Sequence, residues 1–391
     1  MTNAKFLPWA LAALCLWGSA ARAQTEPPLN TALREEVQMV KKAGLFTIEL
    51  ETTFFRPPGA GPFPVVIINH GKSPGNTKFQ PRARYEAAVR EFVQRGYLVA
   101  VPMRQGFSKS GGSYIGGGCN VESNGRVQAE DVTAVLAYLK TVPDADTSRV
   151  LVVGQSHGGL TTLAFGTLPS PGVKGLVNFA GGLRQDDCAG WPSNLVRAFK
   201  SYAAQTTVPS LWFYGDNDSY WSPALYKDMY QGYLEGGGKA RLVAFGNFGS
   251  DAHGMFGGTA GLPIWVPEVD AFLAELGLPH TVLTRLPRVG HKTPPPPATD
   301  FASISDEKAI PRSKENGRQG FLAYGAADSP KAYAISATGG AWAYSTARAD
   351  AMQIALERCN GSAKDNSCKL YAVDDAVVWT NPAASVPGTS P

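Results

Sequence analysis

Apolar residues along this chain come first as short continuous runs and then at helical spacing, and the two alternate. Phe63 to Gly71, FPVVIINHG, is an unbroken apolar run, the mark of a strand covered on both faces. Arg82 to Gly96 has helical spacing and ends on glycine. Strand YLVAVPM (97–103), helix AEDVTAVLAYLKTV (129–142) and strand RVLVVG (149–154) follow. After these come a helix to about Thr167, strands KGLVNFA (174–180) and SLWFYG (210–215), a helix around Leu225 to Leu234, strand ARLVAF (240–245) and a helix over 265–277. The alternation predicts an α/β fold, a mostly parallel sheet with helices on both faces. FTIELETTFFRP (46–57) reads as antiparallel lead-in strands.

The pattern stops near Leu278. Residues 279–300 have no periodicity and contain four consecutive prolines, Pro294 to Pro297, which predicts a semi-rigid extended linker. Beyond it, 331–347 reads as a hairpin turning at Gly339-Gly340, 348–359 as a short amphipathic helix, and 368–379 as a strand. The expected organisation is a leader at 1–23, an α/β unit at 24–278, the linker at 279–300 and a small α+β unit at 301–391.

The leader is read from Lys5, from the apolar stretch Phe6 to Trp17, which is too short to span a bilayer, and from the small-residue site Ala21 to Ala23. It predicts a secreted or periplasmic protein with no membrane span. Its removal takes the formal charge from +4 to +2, because Lys5 and Arg22 leave with it. No basic run tracks a phosphate backbone, which argues against nucleic acid as a partner. Removal also takes Cys15, leaving Cys119, Cys188, Cys359 and Cys368. Four cysteines in an exported chain suggest two disulfides, with three possible pairings. The pairing that keeps partners within one unit is Cys119–Cys188 and Cys359–Cys368. No His/Cys cluster has metal-ligand spacing, and nothing calls for a cofactor.

The candidate chemistry centres on Gly154-Gln155-Ser156-His157-Gly158, a G-x-S-x-G between a predicted strand and a predicted helix. A turn this sharp accepts only small residues two places either side of the serine, and it presents the hydroxyl near a helix N-terminus. A serine nucleophile needs a base held by an acid. His253 lies in a glycine-flanked loop after the last strand. The other four histidines fall in a strand end (His70), in the elbow itself (His157), and in the tail and linker (His280, His291). Asp218 is the acid by position, with Asp216 the competitor; Asp251, two residues before the histidine, reads as solvated. Oxyanion donors are expected at the backbone N–H groups of His157 and Lys72. Tyr114, Tyr220, Trp221 and Phe256 are candidates for an apolar substrate pocket.

Ser156, Asp218 and His253 in that order, with NHG upstream and GYLVAVPMRQGFSKSGG before the elbow, resemble the α/β-hydrolase superfamily. Within it the chain is most similar to the dienelactone-hydrolase-like and prolyl-oligopeptidase-like branches, over Phe46 to Gly277. The resemblance implies a serine hydrolase. Dienelactone hydrolases use a cysteine where this chain has Ser156, so a carboxylesterase acting on a small-molecule ester is the expectation. The alternatives are an oligopeptidase-type serine peptidase and a non-catalytic binding protein on the same scaffold. The tail carries no catalytic constellation, and binding of an unknown partner or surface is one role open to it.

Overall fold

The computed structural model describes residues 29–380, apart from 45, 117, 250, 287–289, 326, 328 and 347. The leader read at 1–23 lies outside these residues. Among them the chain forms two sheets.

The larger sheet has eight strands: β1 (Glu36–Lys42), β2 (Ile48–Phe55), β3 (Phe63–Asn69), β4 (Leu98–Pro102), β5 (Ala145–Gln155), β6 (Val173–Phe179), β7 (Ser210–Tyr214) and β8 (Ala240–Ala244). Their order across the sheet is β1-β2-β4-β3-β5-β6-β7-β8. β2 runs antiparallel to both β1 and β4, and every pair from β4 to β8 is parallel. The apolar runs are explained by burial on both faces. In β3, Val65 and Ile67 face one core while Val66 and Ile68 face the other; in β5, Val150 and Val152 oppose Leu151 and Val153 in the same way. The helices α1 (Glu86–Gln94) and α6 (Leu262–Glu275) cover one face. The helices α2 (Val121–Leu139), α3 (His157–Phe165), α4 (Trp191–Ala203) and α5 (Pro223–Glu235) cover the other.

The smaller unit holds α7 (Glu315–Gly325), β9 (Ala332–Ile335), β10 (Trp342–Ser345), α8 (Ala351–Ala363), β11 (Lys369–Val373) and β12 (Ala376–Val377). Its antiparallel sheet, β10-β9-β11-β12, is sandwiched between α8 and α7. Ala332 and Ala334 of β9 face α8, whereas Tyr333 and Ile335 face the Phe321 and Tyr324 side of α7. The disulfides are Cys119–Cys188 and Cys359–Cys368, the within-unit pairing, and they fit an exported protein.

Five elements depart from the sequence reading, the first being β1, which had no counterpart because only Val40 in it is buried. α4 had no counterpart, although Leu195, Ala198, Phe199, Tyr202 and Ala203 recur on one buried face; Pro192 starts the helix rather than breaking it. α2 begins eight residues before the expected 129, with Asn124-Gly125 inside the helix and Asn120 as its N-cap. α7 carries three glycines in eleven residues and so has little helical propensity of its own. The single strand expected at 368–379 is two, broken at Asp374, where φ is 50°. The stretch expected as a semi-rigid extended linker is in part bonded to its neighbours. The backbone N–H groups of Leu283 and Thr284 donate to Gln94 O of α1, and that of Thr299 donates to Val377 O. Pro294 to Pro297 are exposed.

Candidate active site

The parallel strands deliver their carboxyl ends to one edge, where loops after β3, β4, β5, β7 and β8 meet. At the end of β5 the chain turns through Ser156 with φ 55° and ψ −123°, a conformation that costs a non-glycine residue about 1–3 kcal/mol. The neighbouring glycines explain how the turn is possible. A Cβ on Gly154 would lie 2.1 Å from Gly158 O, and one on Gly158 would lie 2.0 Å from Asn69 O. Gly71, after β3, packs against the serine, since a Cβ there would stand 3.3 Å from Ser156 Cβ.

The loops after β7 and β8 bring an acid to a base. His253 Nδ1 lies 3.0 Å from Asp218 Oδ2 and 3.2 Å from Oδ1. A carboxylate only accepts, so Nδ1 carries a proton, and in the neutral ring the lone pair is on Nε2. The Asp218 side chain has no solvent exposure, and its Oδ1 also accepts from the N–H groups of Tyr220 (2.8 Å) and Trp221 (3.1 Å). Asp216 points elsewhere, accepting from Tyr226 OH at 2.8 Å. Asp251 is not merely solvated. It accepts from His253 N–H (2.9 Å), Ser219 N–H (3.0 Å) and Ser219 Oγ (2.6 Å), clamping the acid loop to the histidine turn.

Behind the serine lies a buried cation that the sequence did not flag. Arg104, at the end of β4, is fully buried. Its guanidinium donates to His70 O (2.5 Å), to His157 Nδ1 (3.1 Å) and to Gln128 Oε1 (3.3 Å). Burial pushes its pKa down to about 10. Burial likewise lowers both histidines well below the ordinary imidazole range, with the Arg104 charge adding to it. Both rings are therefore neutral, and their tautomers follow from their partners. His157 accepts from Arg104 at Nδ1 and donates from Nε2 to Asn124 Oδ1 (2.7 Å). His70 accepts from Arg104 N–H at Nε2 and donates from Nδ1 to Gly71 O (2.6 Å). Arg104 thus joins the two segments that carry the expected oxyanion donors. One of these, the N–H of His157, is the first of α3 and so has no carbonyl one turn back to bind.

A cavity of about 440 Å³ opens over these groups, lined by Ser156, His253, Lys72, Tyr85, Gln155 and Tyr220 among others. Of the four aromatic residues expected in the pocket, Tyr220 lines it, its ring 4.4 Å from that of His253. Trp221 and Phe256 are core residues. Trp221 is 1% exposed and donates its indole N–H to Ala180 O, and Phe256 stacks on Phe179 at 4.1 Å. Tyr114 also stands outside the lining, set edge-on to the His157 ring. Lys72 rests its ammonium 5.6 Å from the Tyr114 ring centre. Arg82 and Arg84 reach the cavity wall but pair with Glu35, whose carboxyl they hold below its ordinary range against the opposing effect of burial.

Sequence reasoning missed Gln155 and Tyr85. Gly71 N–H donates to Tyr85 OH (3.2 Å), Tyr85 OH donates to Gln155 Oε1 (2.9 Å), and Gln155 Nε2 donates to His253 O (2.9 Å). The one signal was Gln155's place in the elbow motif, at a position the motif leaves open. Among the described residues, no three His, Cys, Asp or Glu side chains converge to hold a metal ion, and no helix is long and apolar enough to cross a membrane.

Residues 46–223 match the family described as X-Pro dipeptidyl-peptidase (S15 family). No curated protein matches the chain. Among solved structures it is similar to a puromycin-hydrolysing peptidase from Mycobacterium tuberculosis, at 21% identity and a TM-score of 0.46, over 65% of this chain and 41% of that one. It thus spans less than half the length of that peptidase. It is also similar to a candidate dienelactone hydrolase from Klebsiella pneumoniae (17%, TM-score 0.43, 62% of this chain and 98% of that one). An esterase from Pyrococcus furiosus is a third (15%, TM-score 0.44, 64% and 97%).

Proposed function

We propose, on the premise that this chain is a member of the α/β-hydrolase superfamily, that it is an exported serine hydrolase cleaving small carboxylic esters through Ser156, His253 and Asp218. One observation carries the reading: a buried carboxylate bound to Nδ1 of a histidine that shares its cavity with the strained elbow serine. His253 Nε2 takes the proton from Ser156 Oγ as the oxygen attacks the ester carbonyl carbon. The carbonyl oxygen gains the negative charge and is met by the N–H groups of His157 and Lys72. Collapse of this intermediate breaks the bond to the alkoxide, which leaves with the proton held by His253. Water, deprotonated by the same ring, then hydrolyses the acyl-enzyme and frees Ser156. Export is supported by the leader sequence and the two disulfides.

A peptidase is the second reading, favoured by the family match over 46–223. A panel of p-nitrophenyl esters set against aminoacyl- and prolyl-anilides separates the two. Ser156→Ala is expected to lower turnover on the preferred substrate by about three orders of magnitude or more, with the fold intact. Near-normal turnover in a folded Ser156→Ala protein would end the serine reading for both.

A further inference from the structure

One wall of the cavity over Ser156 comes from the smaller unit. Ala323 on α7, and Ala327 two residues past its end, line it together with Ser156, His253 and Gly257. α7 buries Gly320, Phe321 and Tyr324 against its own sheet, which turns Ala323 outward, and that residue is exposed.

The end of α7 is fixed by named bonds. Tyr324 OH donates to Asp374 O (2.6 Å). Lys331, buried, donates from Nζ to Gly325 O (3.0 Å) and pairs with Asp375 Oδ1 (3.0 Å). The turn carrying both aspartates is in turn held by the rest of the chain. Thr259 Oγ1 donates to Asp375 Oδ2 (2.9 Å), and His291 Nε2 donates to Asp374 Oδ2 (2.9 Å). Thr259 lies two residues beyond Gly257, on the segment that continues from His253. The loop that carries the base and the turn that anchors α7 are therefore joined directly. A buried lysine so committed resists displacement, because breaking its pair leaves an uncompensated charge.

The two side chains on this wall are methyl groups. They offer neither charge nor hydrogen bond, so they discriminate by size alone. Elsewhere the cavity lining carries the polar groups Lys72 and Gln80.

We propose that the smaller unit completes the catalytic pocket, and that Ala323 and Ala327 set the size of the substrate group that can lie against Ser156. The inference rests on the serine-hydrolase reading. It assigns the enzyme to compact substrates, whose group on the α7 side is apolar and small.

The test uses the full chain and the rate at which Ser156 is phosphonylated by a small reagent, diisopropyl fluorophosphate, and by a bulky biotin-linked fluorophosphonate. Ala323→Trp is expected to slow the bulky reagent at least tenfold while the small one stays within threefold. Gln319→Trp, one turn earlier on α7 and outside the cavity, should leave the ratio of the two rates unchanged. Ala323→Leu gives a smaller shift in the same direction and serves if tryptophan disturbs α7. A ratio equal to that of the unmodified protein in both Ala323 variants, whether the two rates hold or fall together, overturns the proposal. Absence of Ser156 labelling by either reagent in the unmodified protein overturns the serine reading and this inference with it. Labelling with an unchanged ratio removes this inference alone.

Discussion

The side chain of Gln155 donates from Nε2 to the backbone carbonyl of His253 across 2.9 Å. The residue just before the elbow serine thereby holds the loop that carries the base. Its Oε1 accepts from Tyr85 OH, which in turn accepts from Gly71 N–H, so one amide ties three loops of the site together. Gln155→Ala is expected to lower kcat/KM on a short ester by about tenfold to a hundredfold, since small misplacements of a reacting group carry penalties of that order. Gln155→Glu should be no better, because a carboxylate cannot donate to His253 O. Steady-state kinetics beside a thermal melt check this. Activity within twofold of the unmodified protein in both variants would mean the histidine loop is held without Gln155.

The three aspartates around His253 should separate cleanly. Asp218→Asn leaves the shape but presents the wrong tautomer of the ring, and is expected to lower kcat by about three to four orders of magnitude. Asp251→Ala removes the clamp on Ser219 and on the histidine turn, and should reduce kcat/KM by about tenfold. Asp216→Asn can still accept from Tyr226 and should change activity by less than about threefold. If Asp216→Asn were the most damaging of the three, the acid would have to be reassigned.

What could be read in the sequence was the part that rests on local pattern. β3 and β5 were legible because a strand buried on both faces must be apolar without interruption, and Gly154 and Gly158 because no larger residue fits the turn. β1 was not legible. It is an edge strand in which only Val40 is buried, so it shows no alternation. The triad candidates stood out as residue types at loop positions, but the choice between Asp218 and Asp216 depends on which carboxylate points at the ring. Trp221 and Phe256 were misread for the same reason: an aromatic residue beside a catalytic loop looks the same in sequence whether it faces substrate or core. Arg104 gave no signal, and Gln155 only its place in the elbow motif, because their roles come from partners 24 to 98 residues away in the chain. The approach of α7 to Ser156 depends on how the two units meet, through contacts such as Thr259 to Asp375, which no periodicity encodes.

Stability should fall in mild acid. His70 and His157 are buried and neutral, with pKa values well below 6.5, whereas in the unfolded chain they titrate near 6.5. The unfolded state therefore binds more protons below that pH. The contribution is fully present above about pH 7.5 and is lost as pH falls through 6.5 toward the folded values. Each ring accounts for about 1.4 kcal/mol per pH unit in that window. Glu86 and Asp131, whose carboxyls burial raises, oppose the trend nearer their own range. The measurement is thus a difference: urea denaturation of the unmodified protein and of His157→Gln at several pH values from 7.5 to 5.0. Glutamine can accept from Arg104 and donate to Asn124, so the variant should fold and show a slope about 1.4 kcal/mol per pH unit shallower below pH 6. Equal slopes would mean that His157 is protonated in the folded state.

The two disulfides should differ both in energy and in what their loss disturbs. Cys119–Cys188 closes 69 residues and Cys359–Cys368 closes 9, so chain entropy assigns them about 4 and about 2.5 kcal/mol. The first lies beside Asn120, the N-cap of α2, and α2 carries the Asn124 whose Oδ1 accepts the hydrogen bond from His157 Nε2. Replacing Cys119 and Cys188 with serine should lower the melting temperature of the larger unit and reduce kcat on a short ester. The second bridge supports a thin core, much of it alanine: Ala332, Ala334, Ala341, Ala351 and Ala355. A smaller loss therefore counts for more there, and the Cys359→Ser/Cys368→Ser protein should expose the smaller unit to protease at temperatures where the larger one resists. Turnover of a short ester should persist, because Ser156, His253 and Asp218 all lie in the larger unit. What should change is size selectivity, with bulky phosphonates labelling Ser156 faster once α7 is no longer held over the cavity. Loss of short-ester turnover in that variant, with the larger unit still folded, would mean that the smaller unit positions the reacting groups rather than bounding the space around them.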